Sequence, residues 1–121
     1  MHQTPPHPPE FIYKVTTGTQ WNSGGKAGLV PPMPIDEKDG YMHFSTAGQL
    51  RETLALHFKG QGDLMLLTVP LAPLAADVKW EPSRGGALFP HLYAPLPVSS
   101  VSAADPIAVD ADGSVDLPDG L

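Results

Sequence analysis

The chain has 121 residues with 15 prolines and 12 glycines, a length for one domain and a proline frequency that excludes a long helical bundle. It has no cysteine, hence no disulfide, thiolate nucleophile or zinc–thiolate centre; its longest nearly apolar stretch, Leu64 to Ala76, contains Pro70 and Pro73 and is too short to span a bilayer. The net charge of −6 is mostly a property of the C-terminal end, where Asp105, Asp110, Asp112, Asp116 and Asp119 fall, and no basic stripe exists to bind nucleic acid in general.

Residues 1–10, with prolines at 5, 6, 8 and 9, read as a disordered Pro-rich arm. The arm lacks the charged start and apolar run of a signal peptide, which points to the cytoplasm. Phe11 to Thr16 reads as a strand of β-branched and aromatic residues. A short helix should follow, capped by Thr16, Thr17 or Thr19 and ended by Gly24, Gly25 or Gly28. Leu29 to Ile35 is broken by prolines and has room for a short edge strand. After the Asp39-Gly40 turn, Tyr41 to Ser45 alternates, with Met42 and Phe44 on one face and Tyr41, His43 and Ser45 on the other. Thr46-Ala-Gly-Gln49 fits a capping box and opens a helix to Lys59-Gly60, with Leu50, Leu54 and Phe58 as its buried stripe. His57, beside that stripe, reads as half-buried.

Leu64 to Val69 is a strand buried on both faces, Val78 to Glu81 another, and Leu88 to Ala94 an extended segment. Helix and strand do not alternate strictly, so the class is α+β, a single compact domain over 11–105. Residues 106–121 read as a loosely attached acidic tail, dispensable for folding.

Phosphate-loop, dinucleotide and nucleophile-elbow motifs are absent, as is any His pair at metal-ligand spacing. Two segments stand out. In Asp39-Gly-Tyr-Met-His-Phe-Ser-Thr46, His43 and Ser45 lie just before a helix N-terminus, where a phosphate or ribose hydroxyl could be held. The same residues could equally bond a neighbouring strand and cap the helix. In Lys79-Trp-Glu-Pro-Ser-Arg-Gly-Gly-Ala-Leu-Phe-Pro-His-Leu-Tyr93, His91 and Tyr93 share a face, and Arg84 beside two glycines suits an anion. A tight connection with Arg84 paired to Glu81 would account for that segment too. Lys14 and Thr16 share a strand face open to solvent or ligand, and Asp36, Glu37 and Asp39 suggest a cation site but read more simply as a solvated turn.

Ile12-Tyr-Lys-Val-Thr-Thr17 with Trp21, Asp39 to Thr46, and Trp80 to Tyr93 together resemble the mostly bacterial domain-of-unknown-function family 952. The resemblance implies an ADP-ribosyltransferase-like fold, a mixed β core with short flanking helices. Through that fold it implies NAD, ADP-ribose or a related nucleotide or phosphorylated ligand, with NAD as substrate and no metal. His43, His91 and Tyr93 become the expected catalytic residues, and Tyr13, Lys14, Thr16, Ser45, Thr46, Trp80 and Arg84 the expected ligand contacts. The sequence departs from the superfamily in having no Glu or Gln at a recognisable late-strand position. Its His and Arg resemble the RNA 2′-phosphotransferase branch, whose extra basic domain it lacks. An ADP-ribosyl- or phosphotransferase-type enzyme is the expectation; the alternatives are a non-catalytic ligand-binding module and an interaction protein.

Overall fold

Two short antiparallel sheets and three α-helices carry the chain in the computed structural model, which describes residues 5–119 and 121 apart from the side chains of Lys26 and Arg84. In order they are β1 (Phe11–Thr17), α1 (Gly18–Ala27), α2 (Pro34–Asp39), β2 (Met42–His43), α3 (Ala47–His57), β3 (Leu64–Pro70), β4 (Val78–Pro82), β5 (Leu88–Leu92) and β6 (Ala103–Ile107). The strands are ordered β1-β3-β6 in one sheet and β2-β5-β4 in the other. All of these ladders are antiparallel, so the core is not the mixed one expected. The α+β class and the single domain hold.

Alternation along β1 and β3 builds the layers. Ile12, Leu67 and Val69 point to one side and meet Met42, Trp80 and Leu92 of the second sheet. Tyr13, Val15, Leu64 and Leu66 point to the other and meet Leu50 and Leu54 of α3. The first sheet is thus sandwiched between the second sheet and α3, burying both its faces. The sheets are stitched together by Tyr13 and Ser45, whose backbones exchange hydrogen bonds of 2.9 and 2.8 Å.

Most local signals act as read. Thr17 caps α1 by accepting from the Gln20 N–H, and left-handed Gly28 ends it. The Gln49 side chain accepts from the Thr46 N–H at 3.0 Å, one arm of the capping box. The segment 29–35 differs: only Leu29 bridges, to Pro97, and Pro34 starts α2 instead. Pro at the helix start, Asp36 and Glu37 in the first turn and left-handed Gly40 at the end are sufficient signals for a helix too short to show periodicity. His57 is exposed, not half-buried, because it lies on the solvent side of α3.

The acidic tail is the larger correction. The expected boundary at 105–106 falls inside β6, and Ile107 and Val109 are buried against α3 and β3. Val115, Leu117 and Leu121 pack on the same cluster, and Arg51 donates to the carbonyls of Val115 and Leu121. The apolar residues spaced between the aspartates anchor the segment, while the carboxylates stay in water. Of the Pro-rich arm, residues 1–4 lie outside the described residues.

Candidate functional site

The β2-β5-β4 sheet turns Met42, Trp80 and Leu92 inward, so its other face carries the side chains one residue away. Register then sets His43 opposite His91 and His91 opposite Lys79, side by side across three strands. Tyr41 stacks on His91 at 4.3 Å between ring centroids and also meets His43 at 4.6 Å and Tyr93 at 5.0 Å. The two imidazoles are 5.3 Å apart, edge to face, and the Lys79 ammonium lies 4.2 Å over the Tyr93 ring. Four rings and a cation therefore share one patch of sheet.

Each histidine is held by carboxylates. His43 Nδ1 lies 2.8 Å from Asp36 Oδ1 and Nε2 lies 3.0 Å from Asp39 Oδ2. Only the doubly protonated ring donates to both at once. Asp36 is itself buried, and its second oxygen takes the Lys14 ammonium at 2.7 Å and the Met33 N–H at 2.8 Å. Burial pushes the Asp36 carboxyl up, but the bonds from His43 and Lys14 outweigh it and hold the group at about 2. Burial likewise lowers the Lys14 ammonium, opposed by Asp36.

His91 is arranged differently. Glu81 Oε1 takes its Nδ1 at 2.9 Å and the Tyr93 hydroxyl at 2.7 Å. A carboxylate only accepts, so Nδ1 carries the proton and Nε2 presents a lone pair. That Nε2 has no partner among the described residues, and since none of their side-chain nitrogens or oxygens is fully buried without one, it keeps a trace of accessible surface although His91 as a whole is buried. Burial lowers the His91 pKa, with Glu81 opposing and His43 adding to the effect, which favours the neutral ring. The bond to Glu81 raises the Tyr93 hydroxyl to about 12. Next to the cluster runs a groove of about 590 Å³, walled by Tyr41, Tyr93, Leu29, Pro31, Pro32 and Pro95, with Asp36 and Glu37 at its margin. Left-handed Gly40 lets the chain turn from α2 into the strand so that Tyr41 reaches both groove and cluster.

Of the residues expected from the sequence, the fold brings together His43, His91 and Tyr93. Lys14 stands one step behind, reaching His43 through Asp36 and, at 3.2 Å, its carbonyl. Tyr13 and Trp80 are packed in the two cores, which leaves their rings little surface for a ligand. Thr16 is fully buried beside Met33, so its face is not solvated. Ser45 bonds Thr53 of α3 at 3.1 Å, and Thr46 serves as the α3 cap. The Arg84 backbone lies in the β4–β5 turn beyond the Pro82–Leu88 pair; its side chain is outside the described residues. Asp36, Asp39, Tyr41, Lys79 and Glu81 were missed as site residues. The alternations Tyr41-x-His43, Lys79-x-Glu81 and His91-x-Tyr93 were visible, but only strand register shows that they share a face. Asp36 is not in a solvated turn, because α2 folds it over the free edge of β2 to accept the His43 N–H at 2.9 Å.

Residues 15–104 match the family model described as Protein of unknown function (DUF952). The chain belongs to this family. Among solved structures, the crystal structure of CC0527 from Caulobacter crescentus is similar, with a TM-score of 0.82 at 43% identity over 88% of this chain and 93% of that one. The solution NMR structure of CC0527 gives a TM-score of 0.77 at 44% identity over 87% and 90%. No curated protein matches the chain. The matched DUF952 region includes the whole ring cluster, whereas much of the packed C-terminal segment lies beyond it. Among the described residues no helix is long and apolar enough to cross a membrane, and no cluster of His, Asp or Glu has the arrangement of a metal site.

Proposed function

We propose that the cluster and its groove form a small-ligand site for an NAD- or ADP-ribose-type nucleotide, with His91 as general base for transfer of the ribosyl group from nicotinamide to water or an acceptor hydroxyl. The observation that carries this reading is the Glu81–His91 pair, which leaves Nε2 without a partner among the described residues, in a ring stacked on the Tyr41 that lines the groove. Tyr41, Tyr93 and the prolines suit the flat face of a heterocycle, and the Glu37 carboxylate at the margin favours a cationic ring. Such a ring is the nicotinamide of NAD. This agrees with the ADP-ribosyltransferase-like fold that the sequence resemblance implies.

In the reaction, the nicotinamide–ribose bond breaks, its electron pair leaves with the ring nitrogen, and the oxygen of water or an acceptor hydroxyl bonds the ribose carbon. His91 Nε2 takes the proton of that hydroxyl, and Glu81 balances the imidazolium charge across Nδ1. Glu81 thereby supplies a carboxylate through His91, where the superfamily places one on a late strand.

Thermal-shift and calorimetric titration against NAD, ADP-ribose, mononucleotides and phosphorylated sugars, with NAD turnover alongside, tests the reading. The expected result is binding of NAD with release of nicotinamide, lost in His91→Ala, and binding lost in Tyr41→Ala. Binding without turnover makes the protein a non-catalytic module. Stabilisation by none of these ligands refutes the site.

A further inference from the structure

Lys14 is the largest side chain that the fold buries completely, and its ammonium pairs with an equally buried Asp36. Two charges taken from water are generally a poorer way to fill a core than apolar side chains of the same volume. Core stability therefore does not account for the pair. Its remaining bonds do. Asp36 Oδ1 takes both the His43 N–H at 2.9 Å and its Nδ1 at 2.8 Å, while Lys14 donates to the His43 carbonyl at 3.2 Å. The pair thus grips one residue at its backbone donor, its backbone acceptor and its ring.

We propose that the buried Lys14–Asp36 pair is a positioning device for His43, fixing the ring in its place against Tyr41 and His91. Lys14 and Asp36 are positioning residues: they act through His43 and do not meet the ligand. The proposal rests on the reading that His43 belongs to the site, but its test uses the ligand-free protein, so failure to bind NAD leaves its outcome unchanged. Besides the pair, His43 faces Asp39 of α2, Tyr41 and His91 of β5, and these stay intact throughout.

Nuclear magnetic resonance of the imidazole nitrogens reads the device directly. In the wild type the His43 Nδ1 proton is expected to be bonded and protected from exchange. Lys14→Met/Asp36→Leu replaces the pair by apolar volume; it leaves the Met33 and His43 N–H groups without their acceptor and should melt below the wild type while still folding, and its Nδ1 proton should exchange at least about tenfold faster. The Tyr41–His43 ring contacts should disappear with it. Lys14→Met/Asp36→Asn also removes both charges but keeps an acceptor for His43, and should restore most of the protection. An unprotected Nδ1 in the wild type overturns the proposal without any variant. So does equal protection in the two double variants, or collapse of both, since the pair would then serve the core and not His43.

Discussion

His91 donates its Nδ1–H to the Glu81 oxygen that also receives the Tyr93 hydroxyl, at 2.9 and 2.7 Å. One carboxylate thus fixes both the tautomer of His91 and the Tyr93 edge of the groove. Glu81→Gln removes the charge that opposes the lowering of His91 by burial, so the His91 titration should move further below its ordinary value of 6.5. Turnover should fall by roughly 10²–10⁴-fold, the usual range for an impaired general base. Imidazole titration by NMR checks the first effect and nicotinamide release the second. A His91 titration unchanged in Glu81→Gln would refute the pairing.

Acid should unfold the protein in two stages. His91 binds its proton less readily folded than unfolded, so stability declines as pH falls below about 6.5, where the unfolded chain protonates first. Asp36 has the opposite sign: held at about 2 against an ordinary 3.8, it contributes stability above pH 4 that is lost as pH falls from 4 towards 2. Urea midpoints at pH 8, 5.5 and 3 should therefore descend in that order. A midpoint higher at pH 3 than at pH 5.5 would contradict the Asp36 assignment.

Deleting residues 107–121 should destabilise the protein, contrary to what its acidic composition suggests. The deletion exposes the cluster that Ile107 and Val109 close, and each such side chain contributes about 1.5–3 kcal/mol. A loss of that size moves the melting temperature by well over 4 °C in a domain this small. An unchanged melting curve would show the segment to be superficial.

Trp80→Ala separates core from site. The indole is 5% exposed and packs between the sheets, so its removal should cost about 3–5 kcal/mol. Tyr41→Ala should cost far less stability, because that ring lies on the outer face, but should abolish ligand stabilisation. Chemical denaturation of the two variants gives the ordering, and the reverse ordering would exchange their assigned places.

Where interactions are local, the sequence was legible. Thr17 and Gly28 bound α1, Gln49 reaches back to Thr46, and Leu50 and Leu54 face the core, since caps and helical stripes depend on neighbours three or four residues apart. α2 and the C-terminal segment were misjudged because six residues show no period and because sparse apolar anchors among aspartates look solvated until their cluster is seen.

By itself, then, the sequence determined the α+β class, the strand and helix faces, the membership of His43, His91 and Tyr93 in two unusual segments, and the family. Tertiary structure decided which of the remaining polar residues join the ring cluster. Lys14 and Asp36 are 22 positions apart and on different elements, so their pairing depends on how α2 folds over the edge of β2. Glu81 finds His91 only because antiparallel register aligns β4 with β5. Tyr13 and Trp80 are aromatic like Tyr41, but the pleat turns them inward and Tyr41 outward. A residue type states what a side chain can bond; burial and register, which sum contacts distant in sequence, state whether anything is left over for a ligand.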